Sequence, residues 1–407
     1  MNNWKQVIQF IKGMNKSTNS DTRTIGLFND SFPPIIDGVA LAVENCAHWI
    51  KQKGHDVCVV TLKAPNSNDE KLNFPVYRYT SIPIIGRKPY RFGLPKLDLQ
   101  FRSELDKLSF KLVHAHSPFT AGNIALKIAK KNKIPFVASF HSKYQDDFER
   151  AVINKQLAKL MVKDVIKFYE MADEVWIPQA SVEETIRKYG YKGKLEVVDN
   201  GNDFVSNKPV LPLKETSKKK LHIKDNHLVL LFVGQHIWEK NTKMIIEALG
   251  MLYDLPFQCF FIGVGYAEAD LKQMAIDNGL ESKIEFLGMI TERDTLKKYY
   301  AASDLLLFPS IYDNAPLVVR EAAALHTPSI LVRNSTASEI ITDNSNGFLI
   351  ENNAQDLAIK IKELSFDINR IQSVGLNASK TIARSWESVT DEILDRYNHL
   401  IYQKCKI

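Results

Sequence analysis

Along the chain, short apolar runs alternate with segments of helical period, and the alternation runs through twice. Residues 24–29 (TIGLFN) form an apolar run of strand length. A proline-containing loop, 30–38, feeds a helix expected over 39–53. Gly54 stops it, and 55–62 (HDVCVVTL) is the next strand. A strand–helix–strand unit of this kind calls for a parallel sheet. Further strands are expected at 111–116 (KLVHAH), 135–139 (PFVAS), 174–177 (EVWI) and 195–198 (LEVV), with helical segments between most of them. From 200 to about 226 the pattern breaks at Pro209, Pro212 and a basic run of Lys218, Lys219 and Lys220. This stretch reads as an interdomain linker with a lead-in helix, its lysines a solvated face. The alternation then resumes. Strands are expected at 227–233, 257–262, 284–287, 305–309 and 329–332, and helices at 243–253, 267–278, 291–301 and 317–325. A last helix is expected at 386–402. The fold class is therefore α/β, two Rossmann-like doubly wound domains. Such a pair places its ligand cleft between the carboxyl ends of the two sheets.

Ahead of the first strand, Trp4, Val7, Ile8, Ile11 and Met14 fall at helical spacing with Lys5, Lys12 and Lys16 nearby. The segment reads either as an interfacial helix on a membrane or as a short helix on its own domain.

Composition narrows the class. A chain of 407 residues, 45% hydrophobic and 25% charged, is ordinary for a soluble protein of two domains. No apolar run reaches the roughly 18 residues of a spanning helix, and no signal peptide is visible. Cys46, Cys58, Cys259 and Cys405 are scattered without metal-ligand spacing, so idle thiols in a reducing, cytoplasmic compartment are expected. A net charge of +6 does not argue for nucleic acid; it suits a diphosphate ligand or an anionic membrane surface.

Four places carry candidate chemistry. Gly234–Lys240 (GQHIWEK) begins where a strand ends and precedes a helix, so the backbone of Gly234 and Gln235 can approach an anion with Lys240 beside it as a point charge. In 310–321 (SIYDNAPLVVRE), Asp313 and Glu321 bracket a loop-to-helix turn, and the backbone of Asn314, Ala315 and Leu317 lies at the helix start. There the carboxylates suit sugar or ribose hydroxyls; equally, Asp313 suits a place near the helix N-cap. His141 follows the strand PFVAS at the ligand end of the first sheet, whereas His114 and His116 read as structural. Gly38, after Asp37, opens the first helix, where a phosphate can meet the helix start or the chain can simply turn.

Taken in order, the PPxxDGV-type loop, HAHSP, SFH, DNGND, VGQxxxxK, the acidic-x7-Glu motif with EAAALHTPSIL, SNGFLI and the terminal SWE resemble glycosyltransferase family 4, of GT-B fold, over nearly the whole chain after Thr24. The resemblance implies an N-terminal extension (1–22), an acceptor-side domain (23–204), a linker (205–226), a nucleotide-sugar domain (227–384) and a C-terminal helix (385–407) returning to the first domain. It implies a hexosyltransferase that retains anomeric configuration and uses no metal or other cofactor. Gly38 would approach the donor phosphate and His141 the transferred sugar. Lys240 would bind the diphosphate, Asp313 the sugar hydroxyls and Glu321 the ribose. Two positions depart from the family pattern. Gln235 stands where arginine is usual, with Arg320 and Arg333 as candidate substitutes, and Asp313 stands where glutamate is usual. The segment 81–97, with Arg87, Lys88, Tyr90 and Arg91, and the run SFHSKYQDDF resemble the diacylglycerol glucosyltransferase branch. This implies a UDP- or GDP-linked donor, a lipid or glycan acceptor and peripheral contact with the inner membrane face. The alternatives are another GT-B enzyme, such as a sugar-nucleotide epimerase or a glycogen-synthase-like polymerase, and a degenerate sugar-nucleotide-binding subunit without turnover.

Overall fold

The computed structural model describes residues 23–84, 89–152, 154–206 and 209–406. The chain divides into two compact units, Met1–Asn200 with Trp386–Ile407, and Gly201–Ser385. The N-terminal helical pattern through Trp4 to Met14, and Arg87 and Lys88, lie outside the described residues.

The first unit runs β1 (Thr24–Phe28), α1 (Gly38–Gln52), β2 (Val57–Leu62), β3 (Val76–Tyr79), β4 (Ser81–Pro83), β5 (Arg91–Gly93), α2 (Leu99–Asp106), β6 (Phe110–Ala115), α3 (Thr120–Asn132), β7 (Phe136–Ser139), α4 (Tyr144–Ala151), α5 (Lys155–Tyr169), β8 (Glu174–Ile177), α6 (Val182–Lys188) and β9 (Leu195–Val197). Seven strands form one parallel sheet in the order β3-β2-β1-β6-β7-β8-β9, while β4 and β5 make a separate antiparallel hairpin. Its centre is apolar on both faces because helices cover both: β1 and β2 are almost wholly buried. The order reverses between β1 and β6, so the carboxyl ends of those strands flank the switch point where ligands of such sheets bind.

The second unit runs α7 (Val210–Lys220), β10 (Leu228–Val233), α8 (Thr242–Gly250), β11 (Phe257–Ile262), α9 (Glu268–Asp277), β12 (Ile284–Phe286), α10 (Arg293–Ala302), β13 (Leu305–Phe308), α11 (Leu317–Ala324), β14 (Ser329–Val332), β15 (Phe348–Ile350), α12 (Ala354–Ser365) and α13 (Ile368–Thr381). Its sheet is parallel in the order β12-β11-β10-β13-β14-β15, and the switch point lies between β10 and β13. A last helix, α14 (Trp386–Lys404), belongs to the first unit. It packs on α1 and β6 through buried Trp386, Val389, Ile393, Leu394, Tyr397 and Leu400.

Two expectations need correction. Residues 201–204, assigned from sequence to the first domain, pack in the second: Asn202 bridges to Ser385 and donates to the Arg320 carbonyl, and Phe204 lies against Tyr300. The lead-in helix expected in the linker is α7, three turns long. Its basic run is not uniformly solvated. Lys214 and Lys218 reach Asp304 at 2.8 and 3.2 Å, and the other oxygen of Asp304 accepts from the Val229 amide, which ties the helix to the sheet; Lys219 and Lys220 are exposed.

Candidate active site

In the second unit, β10 delivers Gly234 to the carboxyl edge of the sheet. Gly263, after β11, has φ +137°, and a Cβ there would collide with the Gly234 carbonyl oxygen. A Cβ on Gly265 would meet the His236 carbonyl oxygen in the same way. The Gly234–His236 strip is thus held by backbone packed on backbone, and the His236 amide donates to Val264 O at 3.1 Å. Aromatic rings of Phe232, Phe261 and Phe286 surround buried His236, and burial lowers its pKa.

A 3₁₀ turn at Trp238–Lys240 follows, and Asn241, in the left-handed region, donates its side chain to Pro309 O at 2.9 Å. The turn is pinned beside the end of β13, and Lys240 is driven inward. Its Nζ lies 2.7 and 2.8 Å from the two Asp313 oxygens and 5.3 Å from the Phe308 ring centroid. Ser310 Oγ donates to Asp313 Oδ2 at 2.6 Å. The structure therefore brings together Gly234, Lys240 and Asp313, three of the positions picked out from sequence. It also removes one reading. Asp313 does not cap the following helix; Pro316 is the N-cap of α11, with no side-chain cap, and the Asp313 carboxylate is turned to Lys240 instead. Gln235 is exposed at this edge, Asn314 is buried, Ala315 is half-buried and Leu317 is the first residue of α11.

Glu321, on α11, is 5% exposed. Arg293 Nη2 donates to its Oε1 at 2.6 Å and the Tyr300 hydroxyl to its Oε2 at 2.7 Å. Arg293 also binds Asp203 at 2.6 and 2.8 Å and lies over the Phe204 ring. Burial opposes the guanidinium's charge, yet the Glu321 and Asp203 carboxylates hold its pKa above the ordinary value. Burial and the Glu321 charge likewise push the Tyr300 hydroxyl well up. Sequence reasoning missed Arg293, Tyr300 and Asp203. Asp203 closes the DNGND motif but was given no role there, and Arg293 and Tyr300 carry no motif; the three meet Glu321 only through folding. Of the two candidate substitutes for the absent arginine, Arg333 binds Asp343 and Glu351 at 3.1 and 3.3 Å, and Arg320, on α11, is buried at 2% exposure.

In the first unit, Asp37 caps α1, its Oδ1 accepting from the Ala40 amide at 2.8 Å. Gly38 begins that helix exposed, and a Cβ there would meet nothing within 4 Å. The loop before it is held by Arg78, which donates to Pro33 O and Leu62 O and pairs with Asp69. At the switch point, half-buried Asp30 accepts from Tyr79 OH (2.8 Å), Ser117 Oγ (2.6 Å) and the Ala121 amide (3.0 Å), so it caps α3 from a distance. Burial raises its pKa against those hydrogen bonds.

His141 lies two residues beyond β7, half-buried, with Nε2 3.2 Å from His116 Nδ1 and the two rings nearly parallel. His114 is fixed on both nitrogens, by Tyr397 OH at 2.6 Å and Ser139 Oγ at 2.8 Å. Burial lowers all three imidazole pKa values, His141 to about 4, so His141 is neutral near pH 7. In the β4–β5 hairpin of the same unit, Arg91 donates to Ser81 Oγ and Ser81 O, while Ile82, Tyr90, Phe92, Leu97 and Leu99 are exposed. No helix among the described residues is long and apolar enough to cross a membrane.

Residues 36–204 match the family model described as Glycosyltransferase Family 4, and residues 214–380 match that of Glycosyl transferases group 1. An alpha-monoglucosyldiacylglycerol synthase of Streptococcus pneumoniae is 27% identical over 80% of this chain and 74% of its own length. Another enzyme of that name, from Acholeplasma laidlawii, is 24% identical over 93% of this chain and 100% of its own. Among solved structures, Anabaena HepE in complex with UDP and glucose superposes with a TM-score of 0.74 at 18% identity, covering 92% of this chain and 99% of that one.

Proposed function

The chain belongs to glycosyltransferase family 4, with the GT-B pair of Rossmann-like domains, and is a hexosyltransferase working from sugar nucleotides on lipid or glycan acceptors; from this premise we propose that it transfers a hexose from a UDP-sugar to a diacylglycerol-type lipid, with retention and without a metal. The observation that carries the proposal is Lys240, held by Asp313 next to the Gly234 backbone at the switch point of the second sheet. A departing nucleoside diphosphate gains negative charge, and a fixed ammonium in a half-dry site offsets that charge without a cation. Retention follows the family: the acceptor hydroxyl attacks the anomeric carbon from the face the diphosphate leaves. One carbon–oxygen bond breaks as the other forms, and the hydroxyl proton goes to the leaving phosphate oxygen.

The remaining positions take roles consistent with their surroundings. Asp313 shares its carboxylate between Lys240 and a sugar hydroxyl. Glu321 has two of its roughly four lone-pair sites taken by Arg293 and Tyr300, which leaves capacity for ribose hydroxyls. Gln235, Asn314, Ala315 and Leu317 line the donor position through backbone or amide groups. Gly38 lets a phosphate come close because its Cβ position is open. His141, neutral, acts on the sugar by hydrogen bonding rather than by charge. A lipid acceptor is supported by the names of the two diacylglycerol relatives and by the exposed apolar residues around the β4–β5 hairpin, which suit contact with the inner membrane face. The UDP donor is supported by the nucleotide bound to Anabaena HepE. One observation favours the degenerate-binder reading. Gln235 leaves one cation fewer beside the diphosphate, and Arg333 is already paired with Asp343 and Glu351.

The test is a donor screen with UDP-, GDP- and ADP-sugars in EDTA, reading thermal shift, donor hydrolysis and transfer to diacylglycerol. UDP-hexose is expected to bind and turn over, and Lys240→Ala to weaken binding by roughly 10- to 100-fold, the worth of one charge-assisted contact. A requirement for a divalent cation would overturn the metal-free reading. Tight binding with no transfer to any lipid or glycan would favour the degenerate one.

A further inference from the structure

His116 is 7% exposed and sits between two other imidazoles. On one side the His114 ring lies 4.0 Å away, centroid to centroid, and that ring is clamped by Tyr397 and Ser139. On the other side its Nδ1 meets His141 Nε2 at 3.2 Å. Its Nε2 is buried and has no hydrogen-bond partner. These contacts limit where the protons can lie.

Two neutral imidazoles that share a hydrogen bond hold one proton between the facing nitrogens. If His141 donated it, His116 would carry its own proton on Nε2, a buried N–H without an acceptor, and such groups are rare in folded proteins. If His116 donates from Nδ1, its Nε2 is a bare lone pair, which is the less costly orphan. His141 then accepts on Nε2 and carries its proton on Nδ1. Burial keeps both rings neutral near pH 7, so neither takes a second proton.

We propose that His116 is a positioning residue for sugar transfer: it fixes His141 as the Nδ1–H tautomer, so that His141 meets the substrate as a hydrogen-bond donor. The inference rests on the reading of His141 as the sugar contact. It extends the support of that residue along the chain. His116 is steadied by His114, and His114 by Tyr397 on α14, whose ring also stacks on Trp176 at 5.4 Å. The C-terminal helix thus sets the orientation of a group 256 residues earlier in sequence. A donor at His141 suits an oxygen acceptor on the substrate, a sugar hydroxyl or ring oxygen, and disfavours a ligand that offers only N–H or ammonium groups there.

The experiment uses the full chain labelled with ¹⁵N-histidine. Two-bond proton–nitrogen correlations near pH 7 should show His141 with a bare Nε2 and a protonated Nδ1, assigned by loss of the signal in His141→Gln. A protonated Nε2 on His141 overturns the proposal whatever the enzyme does. Kinetics then test the consequence. His116→Ala should lower kcat about tenfold while the affinity for UDP, measured by titration, stays at the wild-type value. His116→Asn, whose amide can still donate, should recover part of the loss. An unchanged kcat in His116→Ala overturns the positioning role and leaves the transferase reading intact. A wild-type chain that transfers no sugar defeats the transferase reading instead, and the tautomer is still read from the spectrum.

Discussion

Lys240 and Asp313 are 73 residues apart in sequence and share a bidentate contact in the fold. Each was legible as a candidate because it stands beside a strand end. That they face each other was not, since it depends on the side-by-side register of β10 and β13. The same holds for Glu321. Its place on α11 was readable, but its partners Arg293, Tyr300 and Asp203 lie on separate segments. Removing Arg293 leaves a buried carboxylate without its cation, a loss of about 3–5 kcal/mol by the usual cost of breaking a buried pair. Arg293→Ala should therefore lower the denaturation midpoint of the second unit markedly. A shift of less than 0.5 kcal/mol would show that the network contributes little. Gly38 predicts the opposite division. Its Cβ position is open, so Gly38→Ala should leave stability within about 0.5 kcal/mol and still reduce transfer if a phosphate passes there. Unaltered kinetics would remove Gly38 from the donor site.

At the scale of elements, the second sheet controls its site through glycine. Gly263 allows β11 to turn directly beneath the Gly234 carbonyl, at a φ that side chains rarely adopt. Gly263→Ala touches none of the proposed ligand contacts, yet it must push Gly234 outward and with it the approach to Lys240. Donor affinity should fall together with stability, whereas Lys240→Ala should lower affinity more than stability, because Asp313 keeps its hydrogen bond from Ser310. Calorimetric titration beside urea denaturation separates the two patterns. The strands missed from sequence share a physical reason. β3, β4, β5 and β15 have three or four residues each, at the sheet edge or in a hairpin, too short to show a period. The strands expected from long apolar runs, such as 227–233 and 257–262, coincide with β10 and β11 almost residue for residue because a strand buried on both faces must be apolar throughout.

For the whole molecule, the histidine cluster gives stability a pH dependence. His114, His116 and His141 have folded pKa values below the ordinary 6.5, His141 near 4. A depressed histidine stabilises the fold fully above its unfolded pKa. That stability is lost as pH falls from 6.5 toward the folded value, because the unfolded chain then binds more protons. The urea midpoint reported by the first unit should decline between pH 7 and pH 4.5, and the slope should lessen in Tyr397→Phe if the substitution opens the cluster to water. A flat profile over that window would mean that the three imidazoles titrate as if exposed. Deletion of α14 should be more severe. It strips six buried side chains from the first unit, each worth roughly 1.5–3 kcal/mol, and the shortened chain is expected to be insoluble.

Local sequence determined the α/β class, the two rounds of alternation and the positions at strand ends where chemistry is exposed, because apolar period, helix stops and strand length are properties of neighbours along the chain. It also displayed, through ordered motifs, the family to which the chain belongs. Tertiary structure alone decided which of those positions act together. The Lys240–Asp313 pair, the Arg293 bridge from Asp203 to Glu321 and the column from Tyr397 to His141 each join residues from distant segments. Their contacts exist only because parallel strands bring remote loops to one edge of a sheet, and no local pattern carries that information.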